Sequence, residues 1–315
     1  MGRRLRRFLS TRVLFYALGG GYGHVRRALN VIREFASESQ DLDWLLVCPQ
    51  RCAHLIPTDI SYLGVEEQPR ETLSRFMGET LQSFRPHLVI VDTFPRGVLG
   101  ELRFPPGQRR VLLTRSVPLE FYASPDVNKA LWDYDEVFWT EPKACEEWPG
   151  VEIDPVVSSS LSVERCSGGS RARVLGLGTS LYECRDELKA AFDIAFSGPD
   201  FEARWIASDG WEPGLCSRFG DYDLIVSAAG YNTFYEILQA GTAALFVPQE
   251  RRYDDQAGRV RAHLGCGHIR LLSSTSGAME LSGAALEVRG KRGEPQTFRG
   301  GRQLVEALLL EGTTL

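Results

Sequence analysis

Leu224-Ile-Val-Ser-Ala-Ala-Gly-Tyr-Asn-Thr-Phe-Tyr-Glu236 is the stretch on which the fold turns. An apolar run of strand length gives way to small residues and a glycine, and then to a sequence that suits a helix over about 233–240. Strand, tight turn and helix in that order are the unit of a parallel α/β sheet. Ser227, Gly230, Asn232 and Thr233 line the turn. A helix starting near Thr233 would aim free N–H groups and a partial positive charge at it, a good seat for two phosphoryl groups. Glu236, one turn further on, has the reach to accept from both hydroxyls of a ribose. Thr233-x-x-Glu236 is equally the capping-box pattern, in which Glu236 bonds back to the helix start.

The units on either side repeat the design. Ala244-Leu-Phe-Val-Pro-Gln-Glu-Arg-Arg-Tyr-Asp-Asp-Gln256 is again a buried strand, a polar loop and a helix start, with a helix expected over 254–264. Asp255 and Gln256 could accept from and donate to sugar hydroxyls, or serve as ordinary polar residues of a helix N-terminus. Upstream, a strand over Arg173–Leu177 leads into Gly176-Leu-Gly-Thr-Ser180, where Gly178 and Thr179 could offer further N–H groups to a phosphate. A helix over Arg185–Phe196, a strand over Arg204–Ala207 and a last helix near Arg302–Leu310 complete this half.

The first half has the same rhythm. Strands are expected at Val13–Leu18, Trp44–Cys48, Leu88–Val91, Val111–Thr114 and Val137–Thr140, and helices over about 25–37, Glu71–Phe84 and Leu119–Trp132. Residues 141–170 break the alternation with Pro142, Pro149, Gly150, Pro155 and Gly168-Gly169, which marks an interdomain stretch. Two Rossmann-like domains follow, 1–150 and 151–315, with mainly parallel sheets expected to face a central cleft.

Gly19-Gly-Gly-Tyr-Gly-His-Val-Arg-Arg27 joins the first strand to the first helix. Gly21 and Gly23 permit a sharp turn and close approach of a ligand to the backbone. The loop is not a dinucleotide fingerprint: the last glycine position of G-x-G-x-x-G is His24, and Leu46-Val-Cys-Pro-Gln50 lacks the acid that would hold a ribose. His24, at the carboxyl edge of the sheet, can take a proton near neutral pH, or simply pack at a helix N-terminus. Arg26 and Arg27 are candidates for phosphate contact, with at least one expected in water. Asp92, at the end of a strand, is a second candidate base, or a cap for the turn before Pro95.

Composition narrows the classes. The 315 residues carry a net charge of −5 with 43% hydrophobic residues, so no global field favours nucleic acid. Seven cysteines without a C-x-x-C pair point to a reducing compartment, hence a cytoplasmic protein, and the histidines lack metal-ligand spacing. The basic stretch Met1–Ser10 is too short in its apolar part for a secretory signal. It is read as a solvated tail, with peripheral contact to anionic lipid as the alternative.

Taken together these stretches resemble the MurG-like (family 28 type) glycosyltransferases, especially the branch known as predicted glycosyltransferases. Gly19–Leu29 resembles that branch's glycine–GHxxR–AL loop, and Val89-Ile-Val-Asp-Thr-Phe-Pro-Arg-Gly-Val-Leu-Gly-Glu-Leu102 its strand-plus-GEL segment. Ser227–Glu236, Ala240–Pro248 and Asp255-Gln256 resemble its donor-binding signature. The resemblance implies a GT-B fold, with acceptor bound by the first domain and a nucleotide-diphosphate sugar, UDP-sugar favoured, by the second. It implies diphosphate at the turn before Glu236, ribose at Glu236, donor sugar at Asp255-Gln256, His24 near the reaction centre, an inverting reaction, and no cofactor or metal. Two alternatives share the scaffold: a nucleotide-sugar hydrolase, in which water replaces the acceptor, and a non-catalytic nucleotide-sugar-binding regulator.

Overall fold

A computed structural model describes residues 11–38, 42–158, 170–178, 185–207 and 214–310. They divide into two compact units: Met1–Val156 with Arg299–Leu315, and Val157–Phe298.

In the first unit β1 (Thr11–Tyr16) runs into α1 (Tyr22–Glu38), then β2 (Leu42–Pro49), β3 (Ser61–Val65), α2 (Arg70–Phe84) and β4 (Leu88–Asp92). β5 (Arg109–Thr114), α3 (Leu119–Ala123), α4 (Pro125–Leu131), β6 (Glu136–Trp139) and the two-residue β7 (Val151–Glu152) follow. The seven described strands form one parallel sheet in the order β3-β2-β1-β4-β5-β6-β7. The strands are apolar on both faces, and the core divides accordingly. Val13, Phe15, Leu46, Ile90 and Leu113 point to one side, and Leu14, Tyr16, Val47, Val91 and Leu112 to the other. Double-sided burial is what turns a parallel strand into a continuous apolar run rather than an alternating one.

In the second unit β8 (Ala172–Leu177), α5 (Arg185–Ala195), β9 (Phe201–Ile206), β10 (Leu224–Ser227), α6 (Tyr231–Ala240) and β11 (Ala244–Phe246) come first. α7 (Gln256–Arg261), β12 (Ile269–Leu271) and α8 (Ala278–Val288) close the unit. Its five described strands are parallel in the order β12-β11-β10-β8-β9. Leu175, Ile225 and Phe246 pack on one face, Val174, Val226 and Leu245 on the other.

The expected helix over Leu119–Trp132 is two short helices. Ser124 ends the first in extended conformation and Pro125 opens the second. Proline biases the residue before it away from helix and suits a first helical position itself. β3, β7, β12 and α8 are elements the sequence did not announce; β7 falls inside the stretch expected to be interdomain. The largest departure is α9 (Gly300–Leu310), expected to close the second domain of 151–315 but belonging to the first unit. Leu304, Val305 and Leu308 are fully buried in the same cluster as Val25, Ala28 and Phe35 of α1. The Asp154 N–H donates to Gln303 Oε1 at 2.7 Å, and the Arg299 N–H to Asp154 Oδ2 at 3.0 Å. At Gly300 and Gly301 an added Cβ would overlap the Asp154 carbonyl and the Glu34 side chain, so two glycines are what lets α9 dock this closely. Among the described residues no helix is long and apolar enough to cross a membrane. Met1–Ser10, expected to touch solvent or lipid, lies outside them.

Candidate functional site

Topology decides where chemistry can collect. In the first sheet the chain builds outward from β1 through β2 to β3, then returns to place β4 on the other side of β1. The loops leaving β1 and β4 therefore diverge, and the crevice at such a switch point, beyond the carboxyl ends of the strands, is where open α/β sheets bind ligands. His24 sits in the first turn of α1, just past the first of these loops, and Asp92 ends the strand that opens the second.

The two side chains meet there. His24 Nδ1 lies 2.6 Å from Asp92 Oδ2. Arg27, three residues along the same helix face, donates from Nε to Asp92 Oδ1 at 2.8 Å and places Nη2 2.6 Å from the same oxygen. Its Nη2 also donates to Thr93 Oγ1 at 2.8 Å. Asp92 and Arg27 are buried, and His24 is 9% exposed. The sequence offered His24 and Asp92 as alternative bases; the structure joins them, with Asp92 behind the imidazole and both its oxygens engaged. The Asp92 side chain bonds His24 and Arg27 rather than capping the turn before Pro95.

Electrostatics fixes the states. Burial pushes the Asp92 carboxyl up, but the Arg27 guanidinium and His24 outweigh it and hold it below the usual range. The carboxylate is then acceptor-only, so His24 Nδ1 carries the proton and Nε2 presents a lone pair. Burial drives the His24 pKa below its ordinary value, against the pull of Asp92 and with the help of Arg27 and Arg115. A position in the first turn of α1 acts in the same direction. His24 is thus neutral at pH 7 and in the basic form, the condition for accepting a proton.

The surroundings hold this pose. An added Cβ at Gly19 would overlap the His24 ring, so only glycine fits there. The Phe94 ring stands 5.5 Å from the imidazole on another side. Thr93 has φ +67°, a strained conformation for a β-branched residue. It is held by the Arg27 bond, by its N–H to the Leu113 carbonyl at 2.9 Å, and by the Tyr122 hydroxyl donating to its carbonyl at 3.1 Å. Further out, buried Glu101 accepts from the Tyr16 hydroxyl and from the Leu99 N–H at 2.8 Å, pinning the loop after β4 to β1. Gly21 precedes α1 and exposed Gly23 lies in its first turn. Arg26 is partly exposed, whereas Arg27, a candidate for phosphate or water, is in the core of the site.

The second unit has its own switch point, between β8 and β10. Ser227 ends β10, and α6 begins at Tyr231 with Gly230 as N-cap. The helix thus starts two residues earlier than expected. Thr233 is its third residue and not its cap, which removes the capping-box explanation of Glu236. No side chain caps the helix, and an added Cβ at Gly230 would meet nothing within 4 Å. Asn232 is buried and Thr233 partly exposed in this first turn, while Glu236 is entirely buried.

Other candidates are placed differently. The Gly178 N–H is spent on the Ile206 carbonyl at 2.8 Å, continuing the β8–β9 ladder, so it has no donor left for a phosphate. Thr179 and Ser180 lie outside the described residues. Asp255 is the N-cap of α7, its Oδ1 accepting from the Gly258 N–H at 2.8 Å. Buried Gln256 accepts from the Gln249 N–H at 2.9 Å and donates to Asp254 Oδ2 at 3.3 Å. Asp255 thus serves the start of α7, and Gln256 the loop after β11, in the first instance.

Sequence reading missed Arg259. It is buried, pairs with Asp254 Oδ1 at 2.7 Å, and donates from Nη1 to the Ala229 carbonyl at 2.9 Å. Its guanidinium also lies over the Tyr231 ring, 5.6 Å from the centroid. Ala229 has φ +61°, so a cation on α7 steadies the strained residue just before α6. The spacing of Arg27 from His24 was a usable signal for the first network; Arg259 had none, because its partners lie 5 and 30 residues away.

No family model and no curated protein matches the chain. Solved structures do. MurG of Acinetobacter baumannii superposes with a TM-score of 0.64 at 16% identity, covering 95% of this chain and 99% of that one. The spinosyn rhamnosyltransferase SpnG gives 0.62 at 15%, covering 96% and 95%. The calicheamicin glycosyltransferase CalG4 gives 0.60 at 14%, covering 96% and 95%. At such identities the likeness shows the fold, and that fold is GT-B: two Rossmann-like α/β units with parallel sheets.

Proposed function

We propose that the protein is a glycosyltransferase that moves a sugar from a nucleotide-diphosphate donor, UDP-sugar first, to an acceptor hydroxyl, inverting the anomeric centre without a metal. The observation that carries the reading is the neutral, buried His24 whose Nδ1 is tied to Asp92, leaving Nε2 as a proton acceptor at the switch point of the first sheet. The GT-B fold supports it, and SpnG is known in complex with thymidine diphosphate. The chemistry follows from those groups. His24 Nε2 takes the acceptor's hydroxyl proton as its oxygen attacks the anomeric carbon. The carbon–oxygen bond to the diphosphate breaks, and the leaving group keeps the electron pair. Its charge is met by the N–H groups and positive end of α6 at Gly230–Thr233, fixed dipoles that need no reorganisation. Asp92 orients the imidazole and stabilises the imidazolium that forms. We assign the ribose to Glu236 and the donor sugar to the loop bearing Asp255 and Gln256, for which the bonds these two now make must loosen. Cysteine usage supports a cytoplasmic setting.

Incubation with UDP-, dTDP- and GDP-sugars tests the reading. Nucleoside diphosphate released only when an acceptor hydroxyl is added is the expected result. Free sugar without acceptor would make the protein a hydrolase using the same base on water. Tight binding with no turnover under either condition would make it a binding regulator. His24→Ala is expected to abolish turnover while sparing nucleotide binding, and wild-type turnover in that variant would remove His24 from the mechanism.

A further inference from the structure

We infer that Arg27 is a positioning residue that acts on His24 through Asp92, fixing the carboxylate so that it holds His24 Nδ1 and turns Nε2 toward the reaction. The inference deepens the proposed reaction and rests on that assignment only for its effect on rate. Arg27 engages Asp92 Oδ1 with Nε at 2.8 Å and Nη2 at 2.6 Å, which leaves Oδ2 to face His24 Nδ1 at 2.6 Å. A guanidinium presents its donors in a rigid fork, so it sets direction as well as charge. The same Nη2 donates to Thr93 Oγ1 at 2.8 Å, so one side chain fixes both Asp92 and the strained residue after it. Arg27 comes from α1, Asp92 and Thr93 from β4 and its loop; helix and strand are locked together where the chemistry is placed.

The charge balance shows what Arg27 does. The groups that face His24 are Asp92 from β4, Arg27 from its own helix and Arg115 after β5, with the Phe94 ring and Gly19 completing the enclosure. Those that face Asp92 are His24, Arg27 and, more weakly, the Tyr122 hydroxyl. With Arg27 present, Asp92 has a cationic partner and can remain ionised beside a neutral imidazole. Without it the buried carboxylate must find its countercharge in His24, and the pair takes up a proton at higher pH. The base would then be occupied near neutrality.

The test is an NMR titration of the full chain labelled at histidine nitrogen, with the His24 signals identified by their loss in His24→Gln. The wild type should show the Nδ1–H tautomer and a midpoint below that of an ordinary histidine. In Arg27→Met the His24 midpoint should rise by about one unit or more, and the acid limb of kcat/KM should move up with it. A folded Arg27→Met protein with the wild-type midpoint would overturn the inference, as would an equal loss of rate at every pH. Arg27→Lys covers the case in which the methionine variant does not fold. It keeps the charge and loses the fork, so it should lower kcat more than it raises KM and mix the two His24 tautomers. A single tautomer with wild-type kcat in that variant counts against the inference. The two readings part cleanly. If Arg27→Met shifts His24 while His24→Gln still turns over, the positioning stands and the transferase reading falls; a dead His24→Gln with an unmoved midpoint in Arg27→Met gives the reverse.

Discussion

His24 shows how much a single residue depends on an apparently featureless neighbour. Its ring rests against Gly19, where any side chain would overlap it. Gly19→Ala should therefore cut kcat by about a hundredfold, the scale of a displaced general base, while leaving far-ultraviolet circular dichroism close to wild type and lowering the melting temperature. Kinetics and a melting curve on one preparation check both halves. His24 also links stability to pH. Its folded pKa is lowered from 6.5, so its contribution is fully present above 6.5 and is lost as pH falls from there through the lower folded value. Asp92, lowered from 3.8, adds a second loss beginning below that pH. Urea unfolding across this range should show stability falling in both windows, and His24→Gln should remove the upper step. From sequence alone His24 and Asp92 could be nominated but not joined, because 68 residues separate them and only the sheet order brings them together.

At the scale of elements, the start of α6 depends on a residue of α7. Arg259 fastens the Ala229 carbonyl, pairs with Asp254 and lies over Tyr231, so it holds the turn that presents the helix amides. Arg259→Met should weaken nucleoside diphosphate binding by about tenfold, or ~1.4 kcal/mol, with little change in the pH of the acid limb, which belongs to the other unit. Calorimetric titration with UDP and dTDP, beside a pH–rate profile, checks it; unchanged affinity would show that the turn holds without Arg259. The strand–turn–helix order here was legible because Leu224–Ser227 is apolar and Gly230 punctuates it. The exact helix start was not, since Tyr231 and Asn232 are unremarkable at either side of a cap. β12 is only three residues long, and the serines and glycines at 273–283 hide the apolar positions Leu281, Ala284, Ala285 and Val288 of α8. Short elements leave too few turns or alternations for a period to register.

For the whole molecule, two alternating α/β series were enough to give two Rossmann-like units, because double-sided burial makes every central strand conspicuous, while GT-B itself was legible only through the resemblance of the motifs to a known family. The assignment of chain to unit was not legible, since an amphipathic last helix carries no label saying which core it covers. The sequence favoured the nearer domain in chain order, and packing chose the first. Each of Leu304, Val305 and Leu308 is fully buried against α1 and the first sheet, worth about 1.5–3 kcal/mol apiece by area removed from water. Their sum is comparable with the ~5–15 kcal/mol net stability of a whole domain. Deleting residues 299–315 should therefore unfold or loosen the first unit and leave the second intact. Hydrogen exchange resolves the two: protection should vanish at Val25, Ala28 and Leu46 and persist at Ile225 and Leu245. The truncated chain should still bind nucleoside diphosphate at α6 while losing all turnover, because His24 and Asp92 belong to the unit that α9 closes. Loss of protection in the second unit instead would return α9 to the domain in which chain order had placed it.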